Sequence, residues 1–204
     1  MRGLFITFEG TEGAGKSTQL EILSSRIQKT GREVVELREP GGTECGEEIR
    51  RLLKHGPETL TAEAELLLMN ASRAQLVREV IRPALSRNAV VLCDRFYDST
   101  TAYQGHGRQI NLELVDAVIT AAVGDTRPDL TLYLRINPAT SRQRMGDRGG
   151  TDRFETQNEE FFRRVECGFD AITAAEPERF FPVNSENTID QTAIDIWNIV
   201  SPKL

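Results

Sequence analysis

The segment GTEGAGKS at residues 10–17 constrains the fold of this 204-residue chain more than any other part of it. It matches the pattern G-x-x-x-x-G-K-[ST] in full. A predicted strand over Leu4–Phe8 precedes it, and a predicted helix with Leu20, Leu23 and Ile27 on one face follows it. Glycines there turn successive backbone N–H groups towards phosphate oxygens, and the helix N-terminus adds its positive dipole end. The segment therefore predicts a site for a nucleoside triphosphate and leaves open what is done with it.

Two side chains at the end of this loop carry its chemistry. Lys16 supplies a point charge for the β- and γ-phosphates, and the hydroxyl of Ser17 is a ligand for Mg²⁺. A glycine-rich turn without a ligand is the alternative, but the strand before the loop and the helix after it argue against that.

Short apolar runs alternate with longer helical patterns along the whole chain. The predicted strands are Leu4–Phe8, Glu33–Leu37, Ala89–Cys93, Leu130–Leu134 and Phe180–Val183. This alternation predicts an α/β fold, a parallel sheet covered on both faces by helices, in a single domain over residues 1–204. Functional groups of such folds collect at the carboxyl ends of the strands.

Charged motifs follow two of these strands. Asp94 and Arg95 come directly after Ala89–Cys93, where a carboxylate can hold Mg²⁺ and an arginine can bind phosphate with two N–H groups. The sequence REPGGT at residues 38–43 follows Glu33–Leu37, and its proline and glycines predict a tight turn with Arg38 facing the same crevice. The alternatives are a structural Asp–Arg pair and an ordinary turn with a surface arginine.

The balance of charges narrows the possible ligands. The formal net charge is −6, which argues against binding nucleic-acid polymers, yet 21 of the 25 basic residues are arginine. Arginines concentrated in one crevice would suit small polyanions. Arg50 and Arg179 lie in no such motif and are interpreted as surface charge.

Several other classes are disfavoured. Three isolated cysteines and two histidines do not make a zinc site, and no Asn-Lys-x-Asp segment is present to read guanine. No apolar run reaches the roughly 18 residues of a membrane span, and an acidic residue comes too early for a signal peptide. We therefore expect a cytoplasmic protein without a membrane partner.

A segment rich in arginine and glycine, RQRMGDRGGTDR at residues 142–153, predicts a mobile lid over about residues 142–155. Glycines provide mobility, and arginines can close over phosphates during transfer. A solvated basic loop is the alternative.

Taken together, the loop at 10–17, REPGGT at 38–43 and DRFYDSTTAYQG at 94–105 resemble the thymidylate kinases. The similarity extends through SRAQ at 72–75 and DRFE at 152–155. It implies that ATP, with Mg²⁺, phosphorylates dTMP to dTDP on a three-layer α/β/α fold with a five-stranded parallel sheet and a helical lid. It also implies a homodimer.

The resemblance further implies roles for individual residues. The ATP-binding residues would be Gly10, Thr11, Glu12, Gly13, Ala14, Gly15, Lys16, Ser17 and Thr18. The dTMP-binding residues would be Glu12, Arg38, Met69, Arg73, Arg95, Ser99, Tyr103 and Gln104. The catalytic residues would be Lys16, Arg95, Arg148 and Arg153, and the metal ligands Ser17 and Asp94.

Some of these roles are specific. Arg73 would bond the thymine edge, Tyr103 would crowd the 2′ position of the sugar, and Glu12 would reach the 3′-hydroxyl. Met69 stands where an aromatic residue is usual. The phosphate loop contains no arginine, so the resemblance is to the bacterial type with its catalytic arginine in the lid, with Arg148 first and Arg153 next.

Chemistry favours a monophosphate acceptor. A nucleoside monophosphate is already an ionised oxygen nucleophile, so it needs positive charge and placement rather than a general base. A deoxynucleoside kinase would need a base, for which Glu39 is the candidate. That enzyme and a non-catalytic NTP-binding module remain the alternatives.

Overall fold

The structure, a computed structural model, describes residues 3–57, 59–146 and 157–204. Five strands form one parallel sheet in the order β2-β3-β1-β4-β5. The strands are β1 (Leu4–Glu9), β2 (Val34–Arg38), β3 (Val90–Asp94), β4 (Leu130–Arg135) and β5 (Phe180–Asn184). The predicted α/β fold is therefore confirmed, and every strand ends one residue later than predicted.

Helices connect the strands on both sides of the sheet. In the described part of the chain they are α1 (Lys16–Gln28), α2 (Glu44–His55), α3 (Ala62–Leu76), α4 (Arg82–Ser86), α5 (Tyr97–Thr100), α6 (Leu112–Val123), α7 (Pro138–Gly146), α8 (Glu159–Ala175) and α9 (Ile189–Val200). A π-helical turn over Val77–Ile81 joins α3 to α4, and another over Thr101–Gly107 extends α5. A short 3₁₀ turn, Ser201–Lys203, follows α9. None of the described helices is both long and apolar enough to cross a membrane.

The hydrophobic core lies on both faces of the sheet. Alternate residues of β1, Ile6 and Phe8 among them, pack with α1 and α9 on one face, while Phe5 packs with α3 and α6 on the other. Neighbouring side chains of a strand point to opposite faces, so a strand covered on both faces is mostly apolar. This is why several of the predicted strands are apolar almost throughout.

The register of the central strands brings their carboxyl ends level. Asp94 of β3 pairs with Phe8 of β1 on one side and with Arg38 of β2 on the other. The ladder continues past the strands, because Arg95 N donates to Phe8 O and Glu39 N donates to Asp94 O, each at 2.9 Å. The three motifs that follow these strands therefore meet at one edge of the sheet.

The predicted lid is described only in its first part, where α7 runs to Gly146. The predicted lid arginines Arg148 and Arg153 lie outside the described residues.

Candidate active site

A cavity of about 310 Å³ opens at the edge where the three motifs meet, and we call it the edge cavity. The sequence-predicted site residues that line it are Glu12, Gly13, Gly15, Lys16, Ser17, Thr18, Arg38, Met69, Arg73, Asp94, Arg95, Ser99, Tyr103 and Gln104. The other predicted members of the phosphate loop, Gly10, Thr11 and Ala14, are buried beside it and are not among the lining residues.

The backbone of the phosphate loop needs its glycines. Gly10, Gly13 and Gly15 have φ angles of 134°, 74° and 84°, in the region that disfavours residues with a Cβ. At Gly10 a Cβ would also stand 2.5 Å from the carbonyl oxygen of Leu134. The motif thus specifies this turn sterically as well as chemically.

Lys16 folds back over the loop. Its Nζ donates to the carbonyl oxygens of Gly10 at 3.1 Å and Thr11 at 2.9 Å, and the residue is 6% exposed. Burial lowers the pKa of Lys16, and the charge of Arg95 acts in the same direction, while Glu12 opposes both. Lys16 and Arg95 are therefore two cations that lie close together, and an anion between them would be stabilised.

Glu12 currently supplies that anion. Its Oε1 lies 2.9 Å from Nη2 of Arg95, and its Oε2 lies 3.5 Å from Nζ of Lys16. Burial by itself would raise the pKa of Glu12, but Arg95 and Lys16 together hold it at about 2. The Glu12 carboxylate thus lies between Lys16 and Arg95, the two cations that the sequence predicts to bind phosphate.

Arg95 is held from several directions. Its φ is 71°, its Nη1 donates to Ser99 Oγ at 2.9 Å, and its Nη2 donates to the Tyr103 hydroxyl at 3.3 Å. The guanidinium carbon also lies 5.1 Å from the centre of the Tyr103 ring, a favourable cation–π distance. This side chain is therefore fixed before any ligand arrives.

Ser17 and Asp94, the predicted metal ligands, lie within hydrogen-bond distance of each other. Ser17 Oγ donates to Asp94 Oδ2 at 2.9 Å, so a hydroxyl and a carboxylate oxygen face one point of the edge cavity. Among the described residues no group of three or more His, Cys, Asp or Glu could hold a metal. Mg²⁺ commonly takes one or two carboxylates and completes its shell with substrate phosphates and water, so this oxygen pair fits it.

Arg73 is almost completely buried, at 2% exposure. Its Nε donates to Glu39 Oε2 and its Nη1 to Asn70 Oδ1, both at 2.8 Å, and its Nη2 donates to Phe96 O at 3.2 Å. A guanidinium has five N–H groups, so these bonds leave two for a ligand. Arg73 lines the edge cavity, so these contacts are compatible with the prediction that it bonds a base.

Glu39 is paired with Arg73 through one of its two carboxylate oxygens. Its burial raises its pKa to about 7, although the adjacent guanidinium of Arg73 acts in the opposite direction. Its second oxygen, Oε1, has no hydrogen-bond partner in the described part of the chain. We interpret Glu39 as the residue that holds Arg73 in place.

Arg38, a predicted phosphate ligand, is paired with a carboxylate of this chain. It lines the edge cavity, but its side chain is 57% exposed and its Nη2 bonds both carboxylate oxygens of Glu47 at 3.0 Å. Glu47 also accepts from Gly42 N at 2.9 Å, so the pair closes the turn after β2. Arg38 is not gathered with Lys16 and Arg95 in this arrangement.

Two arginines interpreted as surface charge have other roles. Arg50 lines the edge cavity and donates to Pro40 O at 2.7 Å. Arg179 grips the buried carboxylate of Asp98 with Nη1 and Nη2, each at 2.8 Å. The surface interpretation is therefore wrong for both, because contacts outside any local sequence pattern decide their positions.

Glu9 is a further residue that the motifs do not single out. It ends β1, is fully buried, and accepts hydrogen bonds from Phe96 N at 2.8 Å and from Ser99 Oγ. Burial, reinforced by the nearby charge of Asp98, raises its pKa to about 8. An acidic residue at the end of an otherwise apolar strand is the signal that could have identified it.

The titration of Glu9 leads to a prediction about stability. Because the folded pKa of about 8 exceeds the ordinary value of 4.5, folding favours the protonated form, and this stabilisation is lost as pH rises through that interval. Glu9→Gln cannot titrate, so its free energy of unfolding should fall less steeply between pH 5 and 8. The difference in slope should approach about 1.4 kcal/mol per pH unit at most.

Urea denaturation of both proteins at pH 5, 6, 7 and 8 measures this difference. Glu21→Gln, on the exposed face of α1, is the matched control and should follow the wild-type curve. Parallel curves for Glu9→Gln and the wild type would show that Glu9 does not change protonation on folding in this range.

Comparison with known proteins adds an independent finding. The family profile described as Thymidylate kinase matches residues 8–196 of this chain. The chain is 47% identical over 203 residues to the thymidylate kinase of Synechococcus sp. (strain JA-3-3Ab), covering 98% of this chain and 97% of that one. It is 49% identical over 198 residues to that of Pseudomonas fluorescens (strain SBW25), covering 96% and 94%.

A solved structure agrees. The crystal structure of the thymidylate kinase from Ehrlichia chaffeensis superimposes with a TM-score of 0.82 at 31% sequence identity. The match covers 98% of this chain and 100% of that one.

Proposed function

The chain belongs to the thymidylate kinase family, and we propose that the edge cavity is where it transfers the γ-phosphoryl group of ATP to dTMP. The products are ADP and dTDP. The observation that carries the proposal is the pairing of Asp94 with both Phe8 and Arg38 at the carboxyl ends of their strands. This pairing brings the phosphate loop and both charged motifs to one cavity.

The phosphate loop is the donor side of the reaction. Its backbone N–H groups and the α1 N-terminus would bind the phosphates of ATP, with Lys16 on the β- and γ-phosphates. For this, Nζ of Lys16 would exchange the carbonyl oxygens of Gly10 and Thr11 for phosphate oxygens. Ser17 and Asp94 would hold Mg²⁺, which when bound neutralises phosphate charge.

Arg95 is the residue that we assign to the acceptor nucleotide. It would bind the phosphate of dTMP in the place that Glu12 occupies now, freeing the Glu12 carboxylate for the 3′-hydroxyl. An oxygen of that phosphate then forms a bond to the γ-phosphorus, while the bond to the bridging oxygen breaks and ADP leaves with its electron pair. The nucleophile is already ionised, so no residue has to remove a proton.

The base and sugar would be read by residues farther along the cavity. The two remaining N–H groups of Arg73 would bond the thymine edge, Met69 would contact the base and Tyr103 would crowd the 2′ position. We propose Arg38 only as a secondary phosphate ligand, since Glu47 holds it. From the sequence alone we propose Arg148, then Arg153, as lid arginines that stabilise the transferred group.

The remaining expectations stand as proposals. We propose one kinase domain over residues 1–204 and a cytoplasmic location, which the three free cysteines support. We also propose a homodimer. Helices α3 and α6 pack against each other and carry exposed leucines that a second copy of the chain would cover. Leu67 is 57% exposed, and Leu112 and Leu114 are nearly half exposed.

A coupled assay of ADP release tests the function. dTMP, dUMP, dCMP, dAMP, dGMP and thymidine are compared as acceptors, and dTMP should give the highest kcat/KM. Faster turnover of thymidine than of dTMP would indicate a deoxynucleoside kinase instead. Tight ATP binding without turnover of any acceptor would indicate a non-catalytic NTP-binding module.

A further inference from the structure

Gln104, in the wall of the edge cavity, is bonded to a buried carboxylate behind it. Its Nε2 donates to Oε1 of Glu65 at 2.9 Å, and both residues are 1% exposed. Glu65 lies on α3, one helical turn before Met69, so it supports the wall from the second layer of side chains.

Arg108 completes this arrangement. Its Nε donates to Glu65 Oε1 at 3.2 Å and its Nη2 to Oε2 at 3.1 Å, a two-point grip on the carboxylate. Its own position is fixed by Gln157, whose Oε1 accepts from Nη1 at 2.7 Å, and by the Phe161 ring, 4.9 Å from the guanidinium carbon. A buried carboxylate is tolerable when it is paired in this way.

The chemistry of the pair determines which end of the amide faces a ligand. A paired carboxylate only accepts hydrogen bonds, whereas a glutamine amide has one donor end and one acceptor end. Only the Nε2 end of Gln104 can therefore face Glu65, which leaves the Oε1 end for the cavity. A cavity-facing oxygen accepts a hydrogen bond and repels another acceptor.

We propose that Glu65, held by Arg108, is a positioning residue that fixes the Gln104 amide with its oxygen towards the pyrimidine. The inference rests on the proposed function, because it needs a pyrimidine nucleotide in the edge cavity. Thymine and uracil carry an N–H at N3, and the Gln104 oxygen can accept a hydrogen bond from it. Cytosine has an unprotonated N3, so its lone pair would face the oxygen and binding would be disfavoured.

The test is a substrate ratio. In Glu65→Gln the new amide can either donate or accept a hydrogen bond, so the side-chain amide of Gln104 is free to flip by 180°. We expect the ratio of kcat/KM for dUMP to that for dCMP to fall by about tenfold. The ratio for dTMP to dUMP should change less than twofold, since these bases share the N3–H and differ only in a methyl group.

Two further variants make the result decisive. Glu65→Asp keeps a charge for Arg108 but withdraws the carboxylate from Gln104, so it should shift the dUMP:dCMP ratio in the same direction. It also serves if Glu65→Gln does not fold. Glu79→Gln is the matched control, because Glu79 accepts from Gln75 Nε2 at 2.7 Å on an exposed surface, and it should leave every ratio unchanged.

Two outcomes would overturn the inference while leaving the proposed function intact. One is a dUMP:dCMP ratio within twofold of wild type in a folded Glu65 variant. The other is a parallel fall in the dTMP:dUMP ratio, which would indicate general loosening of the pocket. A wild-type protein that turns over none of the three nucleotides would overturn both the proposed function and this inference.

Discussion

Replacing Lys16 with alanine is expected to lower kcat/KM for ATP by about 10³-fold, of the same order as the loss of one preorganised hydrogen-bond donor from a transition state. Lys16 is buried beside Arg95, and its ammonium donates to two carbonyl oxygens of the phosphate loop, which phosphate oxygens would replace when the nucleotide binds. Binding of dTMP should change much less, because Arg95 lies on the acceptor side and remains.

Lys29, the residue that follows α1, offers a matched control. Lys29 lies at the exposed C-terminal end of α1, and Lys29→Ala removes the same side chain outside the site. Steady-state kinetics with ATP varied, calorimetric titration of dTMP and thermal denaturation should be compared for both variants. Turnover by Lys16→Ala within tenfold of wild type would contradict the assignment of the phosphate loop as the donor site.

The strands were largely predictable, because a strand buried on both faces is mostly apolar. Their last residues were not. Glu9, Asp94 and Arg135 are polar, so the hydrophobic pattern ends before them, but pairing with neighbouring strands keeps them in the sheet. Hydrogen bonds between strands, rather than side-chain hydropathy, set these boundaries.

The site was predictable in its membership and much less so in its contacts. The phosphate loop is a local motif whose glycines need positive φ, so its sequence specifies its geometry. The partners of arginines are not local. Arg38 finds Glu47 nine residues away, and Arg73 finds Glu39 across 34 residues. Only the tertiary structure shows which of these guanidinium groups remains available to a ligand.

Buried acidic residues were the hardest to predict. Glu9 and Glu65 carry no motif of their own, and their positions are explained only by the donors that the fold brings to them. A buried acidic side chain needs hydrogen-bond partners in the interior, and these partners come from distant segments. Sequence patterns identify the residues that touch substrate more readily than the residues that position them.

Arg95→Ala is expected to lower kcat/KM for dTMP by about 10³-fold. Hydrogen bonds to charged groups contribute about 1.5–3 kcal/mol each, so loss of a two-point grip on phosphate amounts to several kcal/mol. The loss should appear in both kcat and KM, since Arg95 would hold the acceptor and stabilise charge during transfer. ATP binding measured without acceptor should change far less.

Two further variants show which property of Arg95 matters. Arg95→Lys separates the effect of its positive charge from that of its geometry, and Arg87→Ala controls for the loss of any arginine. Lysine keeps the positive charge beside Glu12 but lacks the fork that bonds Ser99 and Tyr103 together, so it should recover only part of the activity. Arg87, exposed and paired with Glu33, lies outside the edge cavity, and its alanine variant should match the wild type. If Arg95→Ala lost less than tenfold, the acceptor phosphate would have to be held elsewhere, and Arg38, released from Glu47, would be the residue to test next.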